Sequence, residues 1–309
     1  MEVASIPDLP LAECLQIIAK HFDTTAIAAR IIDSTAVLEY YRQSDRGYRL
    51  FHSKQGAMHV ALNCDEEFST EGYLGQVELI AGRLQQFAAK NVLEVGCGVG
   101  YNSRNLAERF PASQLTGVDL SPEHVATAKK EASKLPNLAF EQGDFHRLRY
   151  DDNSFDAIFA VECLCQGTDW QGALAEAQRV LRQQGRFIVI DCFRQASLDS
   201  YDSDLQFAAQ LVEKTMAVEE FAVLADWLRV AETHGFRVCE QLDLSEAISH
   251  NLARFYSLSR RFFKMPLAAR AFLKAFPPRL IENAISGLLM PFTVGSGVHR
   301  YFLLTLEKK

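Results

Sequence analysis

The 309-residue sequence contains no apolar run approaching the roughly 20 residues that a bilayer-spanning helix needs. A transmembrane segment is therefore not expected. Its cysteines, Cys14, Cys64, Cys97, Cys163, Cys165, Cys192 and Cys239, are odd in number, form no CxxC pair and have no histidine at a zinc-like spacing. The chain is also far longer than the small scaffolds that depend on disulfides, so neither a disulfide framework nor a structural metal is expected, and a reducing cytoplasm suits it best. The opening MEVASIPDLPLAECLQIIAKHF is acidic before it is apolar and lacks a basic stretch leading into a long apolar one. No signal peptide is expected, and the protein should be soluble or at most associated with a membrane surface. Internal repeats and low-complexity tracts are missing too. Basic charge is scarce over most of the length: residues 1–250 carry 22 basic and 37 acidic side chains, a net of −15. Readers of duplex nucleic acid depend on phosphate neutralisation by clustered Lys and Arg, so a nucleic-acid partner is not expected.

What is present is the make-up of a globular protein, 48% hydrophobic and 23% charged, with length for one large or two ordinary domains. Residues 1–90 show helical patterns, such as Leu15, Ile18, Ala19 and Phe22, and an aromatic stretch EYYRQSDRGYRLFHS, which together read as a helical cap and lid. From Asn91 the pattern turns to short apolar runs alternating with amphipathic segments, the writing of a parallel sheet with crossover helices. Strands are expected at Val92–Val95, Gln114–Asp119, Leu138–Gln142, Phe155–Ala160, Arg186–Asp191, Phe236–Leu242 and His299–Leu306. Ser121 as N-cap, Pro122 at the first helical position and Glu123 behind it mark the clearest helix start. The resulting division is a cap over 1–90, an α/β core over 91–243 with a capping insertion at about 193–219, a helical cap over 244–298, and the last core strand over 299–309.

The most informative segment is VLEVGCGVGYNS, where a buried-type strand runs into glycines at 96, 98 and 100 and then into a helix. Glycine lets a ligand approach the main chain without a Cβ in the way. The next strand ends in Asp119, where doubly wound folds place a carboxylate on a cofactor ribose. Dinucleotide enzymes space these glycines as GxGxxG; here they fall as GxGxG, with Glu94 two residues ahead of the first. A carboxylate there repels a pyrophosphate but accepts from an ammonium, which favours S-adenosylmethionine. Asp144 and Phe145 follow the third strand, and Glu162 ends the fourth, at the sheet edge where such folds bind ligands.

Through EVGCGVG, GVDLSPEHV, GDF, DNSFDAIFAVE and EAQRVLRQQGRFIVID, the chain resembles a class I S-adenosylmethionine-dependent methyltransferase. The resemblance implies a Rossmann-like fold, a seven-stranded, mostly parallel sheet with helical N-terminal and C-terminal capping segments. It also implies that Glu94, Gly96, Cys97, Gly98 and Asn102 hold the methionine end of the cofactor, Asp119 and Leu120 the ribose and adenine, and Asp144 and Phe145 the adenine. THGFRVCEQLDLSEAI and YFLLTLEKK are similar to the small-molecule branch that includes sterol and tocopherol C-methyltransferases. A small lipophilic acceptor, methylated on carbon, oxygen or nitrogen, is the function this implies; a protein acceptor, or a binding protein without catalysis, is the alternative.

Methyl transfer from a sulfonium rests on positioning and exclusion of water, with a base where the acceptor needs one. His59, in HSKQGAMHVAL, and Glu162 are the candidate bases; histidine titrates near neutrality and could serve without large tuning. No Asn-Pro-Pro-Tyr or Asp-Pro-Pro-Tyr follows the fourth strand, which makes a nucleic-acid base an unsuitable acceptor. Residues 251–309 reverse the charge balance, with ten basic side chains against two acidic. There Phe255, Leu258, Phe262, Phe263, Leu267, Phe272 and Phe276 alternate with Arg and Lys around Pro266. The segment is expected to form one wall of an apolar acceptor pocket, with 251–292 resting on an anionic membrane. The oligomeric state is not legible.

Overall fold

The computed structural model describes residues 7–63, 67–264 and 275–309. Cys64, and Pro266, Leu267, Arg270, Phe272 and Lys274 of the basic segment, lie outside the described residues. Seven strands form one sheet: β1 (Asn91–Val95), β2 (Gln114–Asp119), β3 (Leu138–Gln142), β4 (Phe155–Val161), β5 (Leu181–Arg194), β6 (Phe236–Asp243) and β7 (His299–Lys308), in the order β3-β2-β1-β4-β5-β7-β6. The first five are parallel, and β7 runs antiparallel between β5 and β6. The central strands are apolar on both sides because both faces are covered. In β4, Ala157, Phe159 and Val161 join the core beneath α4 (Gly75–Gln86) and α5 (Tyr101–Arg109), while Ile158 and Ala160 join the opposite one beneath α7 (Trp170–Val180) and α9 (Leu224–Thr233). The helix α6 (Pro122–Glu131) starts where Ser121 accepts from the His124 N–H, as its cap chemistry predicts.

β5 runs three residues past its expected end at Asp191, because Cys192, Phe193 and Arg194 continue to pair with β7. Within the stretch 193–219, Asp202 caps α8 (Ser203–Thr215), whose apolar side turns into the cap. The two capping segments expected at opposite ends of the chain share one core. Cys14 and Ile18 of α1 (Leu11–Ala19) and Ile27 of α2 (Thr24–Ala28) pack with Leu211 of α8, Phe263 of α10 (Ser249–Lys264), and Ile285 and Leu288 of α11 (Pro278–Gly295). Ion pairs tie this layer across the sequence: Arg30 to Glu282, and Asp8 to Arg260. The remaining cap helix, α3 (Ser34–Gly47), passes into a single π-turn at Tyr48–His52 and lies over the carboxyl edge of the sheet. No helix among the described residues is long and apolar enough to cross a membrane.

Candidate functional site

All eleven residues singled out in the sequence border one cavity at the carboxyl ends of β1, β2 and β4. The β1–α5 loop forms its floor. Gly96, Gly98 and Gly100 have φ of 66°, 51° and 80°, left-handed values that side chains with a Cβ rarely take. At Gly96 an added Cβ would also lie 2.4 Å from the Cβ of Cys163, so that glycine is fixed twice over. Asp119 braces the loop from β2: one carboxylate oxygen accepts from the Gly98 N–H at 2.8 Å, the other from the Ser121 N–H at 2.9 Å. Each oxygen keeps a lone pair for a ligand hydroxyl.

Glu94 lies deeper, 2% exposed. Its carboxyl accepts from the Asn102 amide at 3.1 Å and from both the N–H and the hydroxyl of Ser103. Burial outweighs those bonds and pushes it up to about 7. Asn102 bridges onward through Oδ1, 3.2 Å from His59 Nε2. The neutral-range titration expected for His59 is not what the site provides. With 4% of its surface exposed, burial pulls the imidazole down to about 4. A neutral ring donates either from Nε2 to Asn102 or from Nδ1 to the Val60 carbonyl, 3.1 Å away; in both cases the Asn102 amide donates to Glu94, and the three line one side of the cavity. On the far side Asp144 Oδ1 accepts from the His146 N–H and meets its ring Nδ1 at 2.6 Å, while Phe145 packs on that ring. Leu120 and Phe145 give this end its apolar lining.

Glu162 has φ of 49°, an uncommon backbone for a residue with a long side chain. Its Oε1 accepts from the Val60 N–H at 2.9 Å and from the Tyr301 hydroxyl at 2.7 Å. Oε2 has no hydrogen-bond partner among the described residues. Burial pushes this carboxyl up to about 7 as well, and nearby Asp191, itself raised to about 6, adds repulsion.

Behind Glu162 opens a second cavity of about 440 Å³, lined by α10, α11 and the π-turn. Phe255, Phe262, Leu280 and Met290 make its walls apolar, and its few polar groups include Tyr48 and Asn283, joined through the Tyr40 hydroxyl. Glu162 and Met58 border both cavities; His59 borders only the first of the two. Tyr301, Met58 and His146 escape a reading of the sequence. Tyr41 lies edge-on to His124 beside the first cavity and donates to Gln166. Tyr301 is 139 positions from the carboxylate it holds and sits in an ordinary alternating strand, so no local signal marks it. Among the described residues no group of three or more His, Cys, Asp or Glu is placed to hold a metal ion.

Residues 93–189 match the family described as a methyltransferase domain. Over this stretch the chain is similar to methyltransferase domains. The stretch carries β1 through most of β5 and with them Glu94, the glycine loop, Asp119, Asp144 and Glu162. A sterol 24-C-methyltransferase of Gibberella zeae is 29% identical over 157 residues, 50% of this chain and 41% of that protein. The cycloartenol-C-24-methyltransferase of Arabidopsis thaliana is 27% identical over 194 residues, 62% of this chain and 57% of the relative. The chain therefore spans less than two thirds of the length of these curated relatives. Among solved structures, the [4+2]-cyclase SpnF superposes with a TM-score of 0.73 at 20% identity, covering 90% of this chain and 96% of its own. The cyclopropane synthase MmaA2 from Mycobacterium tuberculosis also gives 0.73, at 14% identity, covering 90% and 99%. The matched stretch thus sits in a whole-chain fold, cap included, that both structures share. Their differing names show that this fold alone does not fix the reaction.

Proposed function

We infer that this protein transfers a methyl group from S-adenosylmethionine to a small lipophilic acceptor held in the apolar chamber. The observation that carries the reading is the shared wall: one carboxylate, Glu162, faces the cofactor cavity on one side and the chamber on the other. The residues of the first cavity suit the cofactor. Glu94 and Asn102 offer acceptors to an ammonium, Asp119 keeps lone pairs for two ribose hydroxyls, and Leu120, Asp144 and Phe145 offer an apolar slot with an acceptor at its edge. When bound, the cofactor supplies a methyl on positively charged sulfur, an electrophile that needs no acid.

The chain's own part is positioning and charge. Tyr301 and the Val60 N–H fix Glu162, and its free Oε2 stabilises positive charge appearing on the acceptor. An oxygen acceptor gains no such charge after losing its proton; an alkene carbon or an amine does. The apolar walls and the C-24 names of the curated relatives support carbon. In that case the carbon–sulfur bond breaks, a carbon–carbon bond forms, and the acceptor loses a proton that a carboxyl titrating at about 7 can take. Incubation with isotopically labelled cofactor and a lipid extract tests this. Label in a lipid product is the expected result. Label in the protein fraction, or none transferred, would overturn the reading.

A further inference from the structure

The described residues leave six large apolar side chains exposed, and three of them gather at the mouth of the chamber. Leu50 and Phe51 are 58% and 52% exposed on the π-turn, and Leu258 is 40% exposed on α10. Phe51 and Leu258 themselves line the chamber. The turn cannot drift far from the helix, since Arg254 donates to the Phe51 carbonyl and the His52 ring stacks on Phe255, 5.5 Å between centroids. The apolar tip is therefore a built edge of the chamber rather than a frayed loop.

Cations flank this edge. Arg261 lines the chamber mouth and is exposed, and Lys54 follows the π-turn, also exposed. Neither has a carboxylate within ion-pair distance among the described residues. Arg49, next to Leu50 in the chain, is half exposed and paired to Asp45 at 3.3 Å; it and Lys54 border a neighbouring cleft that also holds Glu131. Most other cations of α10 are used inside the protein: Arg260 holds Asp8, and Arg254 lies over the Phe68 ring. Exposed apolar tips flanked by cations, Arg261 at the chamber and Arg49 and Lys54 beside the π-turn, match an anionic bilayer: the tips enter the acyl boundary and the cations meet head groups.

We propose that the π-turn and the outer face of α10 dock on an anionic membrane and open the chamber directly to it, so that the acceptor passes from bilayer to site without crossing water. The membrane contact rests on a few residues of the rim, and Phe255, Phe262 and Phe263, which turn inward, take no part. The delivery step rests on the lipophilic acceptor inferred above; the docking itself does not.

Co-sedimentation of the full chain with vesicles of phosphatidylcholine, with and without phosphatidylglycerol, tests the docking. Binding is expected to the anionic vesicles, and to weaken as salt is raised. The double variant Leu50→Asp/Lys54→Glu, which touches neither cavity wall of the proposed reaction, should weaken it by about tenfold or more. Leu242→Asp, an exposed apolar position on the edge strand β6, should leave it unchanged. A Leu50→Trp variant should report a blue-shifted emission on anionic vesicles only, independently of sedimentation. Failure of the parent to bind either vesicle, or binding that the double variant leaves intact, overturns the proposal, as does capture by an acidic carrier protein with none by vesicles. Sedimentation needs neither cofactor nor acceptor, so its outcome stands apart from that of the labelled-methyl assay.

Discussion

At the scale of single residues, the two buried carboxyls Glu94 and Glu162 set the pH behaviour. Each titrates at about 7 in the fold and near 4.5 when unfolded, so the folded state holds the proton more tightly and loses stability as pH rises between those values. His52 and His59, both drawn down to about 4 by burial, act in the opposite sense, their contribution disappearing as pH falls from 6.5 toward 4. Glu94→Gln should therefore raise the melting temperature of the ligand-free protein at pH 8 more than at pH 5, which thermal melts will check. The same variant should flatten the cofactor's pH dependence. In the parent, affinity rises as pH passes upward through about 7, because only the ionised Glu94 attracts the ammonium; calorimetry across pH measures it. Asp119→Ala removes a charge-assisted acceptor and should weaken cofactor binding by about 1.5–3 kcal/mol. Glu162→Gln keeps the bonds to Val60 and Tyr301 but removes the charge. Turnover should fall by about 10²-fold or more with cofactor affinity little changed, the split expected of an interaction used in the transition state.

Among elements, the glycine loop is the most exacting. Gly96→Ala forces a Cβ into a left-handed backbone and against Cys163, and should destabilise the fold by about 1–3 kcal/mol, read from denaturant midpoints. This region is also where the sequence is most legible. β2 and β3 begin and end on the residues expected, and Ser121 caps its helix, because the turn residues that bound a short strand and an N-cap are written in adjacent residues. The glycine spacing and the carboxylates at strand ends likewise point to one cavity from sequence alone. The cap is less legible because its order comes from distant partners: α1 is amphipathic on any reading, yet nothing in it names α8 and α11 as its neighbours. For the same reason the burial of His59 is hidden, since it is produced by Tyr73 and Tyr101 packing on the ring from two other elements.

For the molecule as a whole, one buried cluster ties sheet to cap. Glu213 of α8, 1% exposed, accepts from Nε and Nη2 of Arg194 on β5, whose Nη1 reaches Glu220, and lies 3.2 Å from His299 Nε2 on β7. Glu213→Ala would strand a largely buried guanidinium and should cost about 3–5 kcal/mol, measured as loss of thermal stability, while Glu213→Gln should recover part of it. The same strand β7 supplies Tyr301 to Glu162, so the sheet and the reaction centre are completed by the same late stretch of chain. During synthesis the cofactor loop, made some two hundred residues earlier, must wait for it. A nascent chain that has not yet reached residue 301 lacks both the strand between β5 and β6 and the hydroxyl that fixes Glu162.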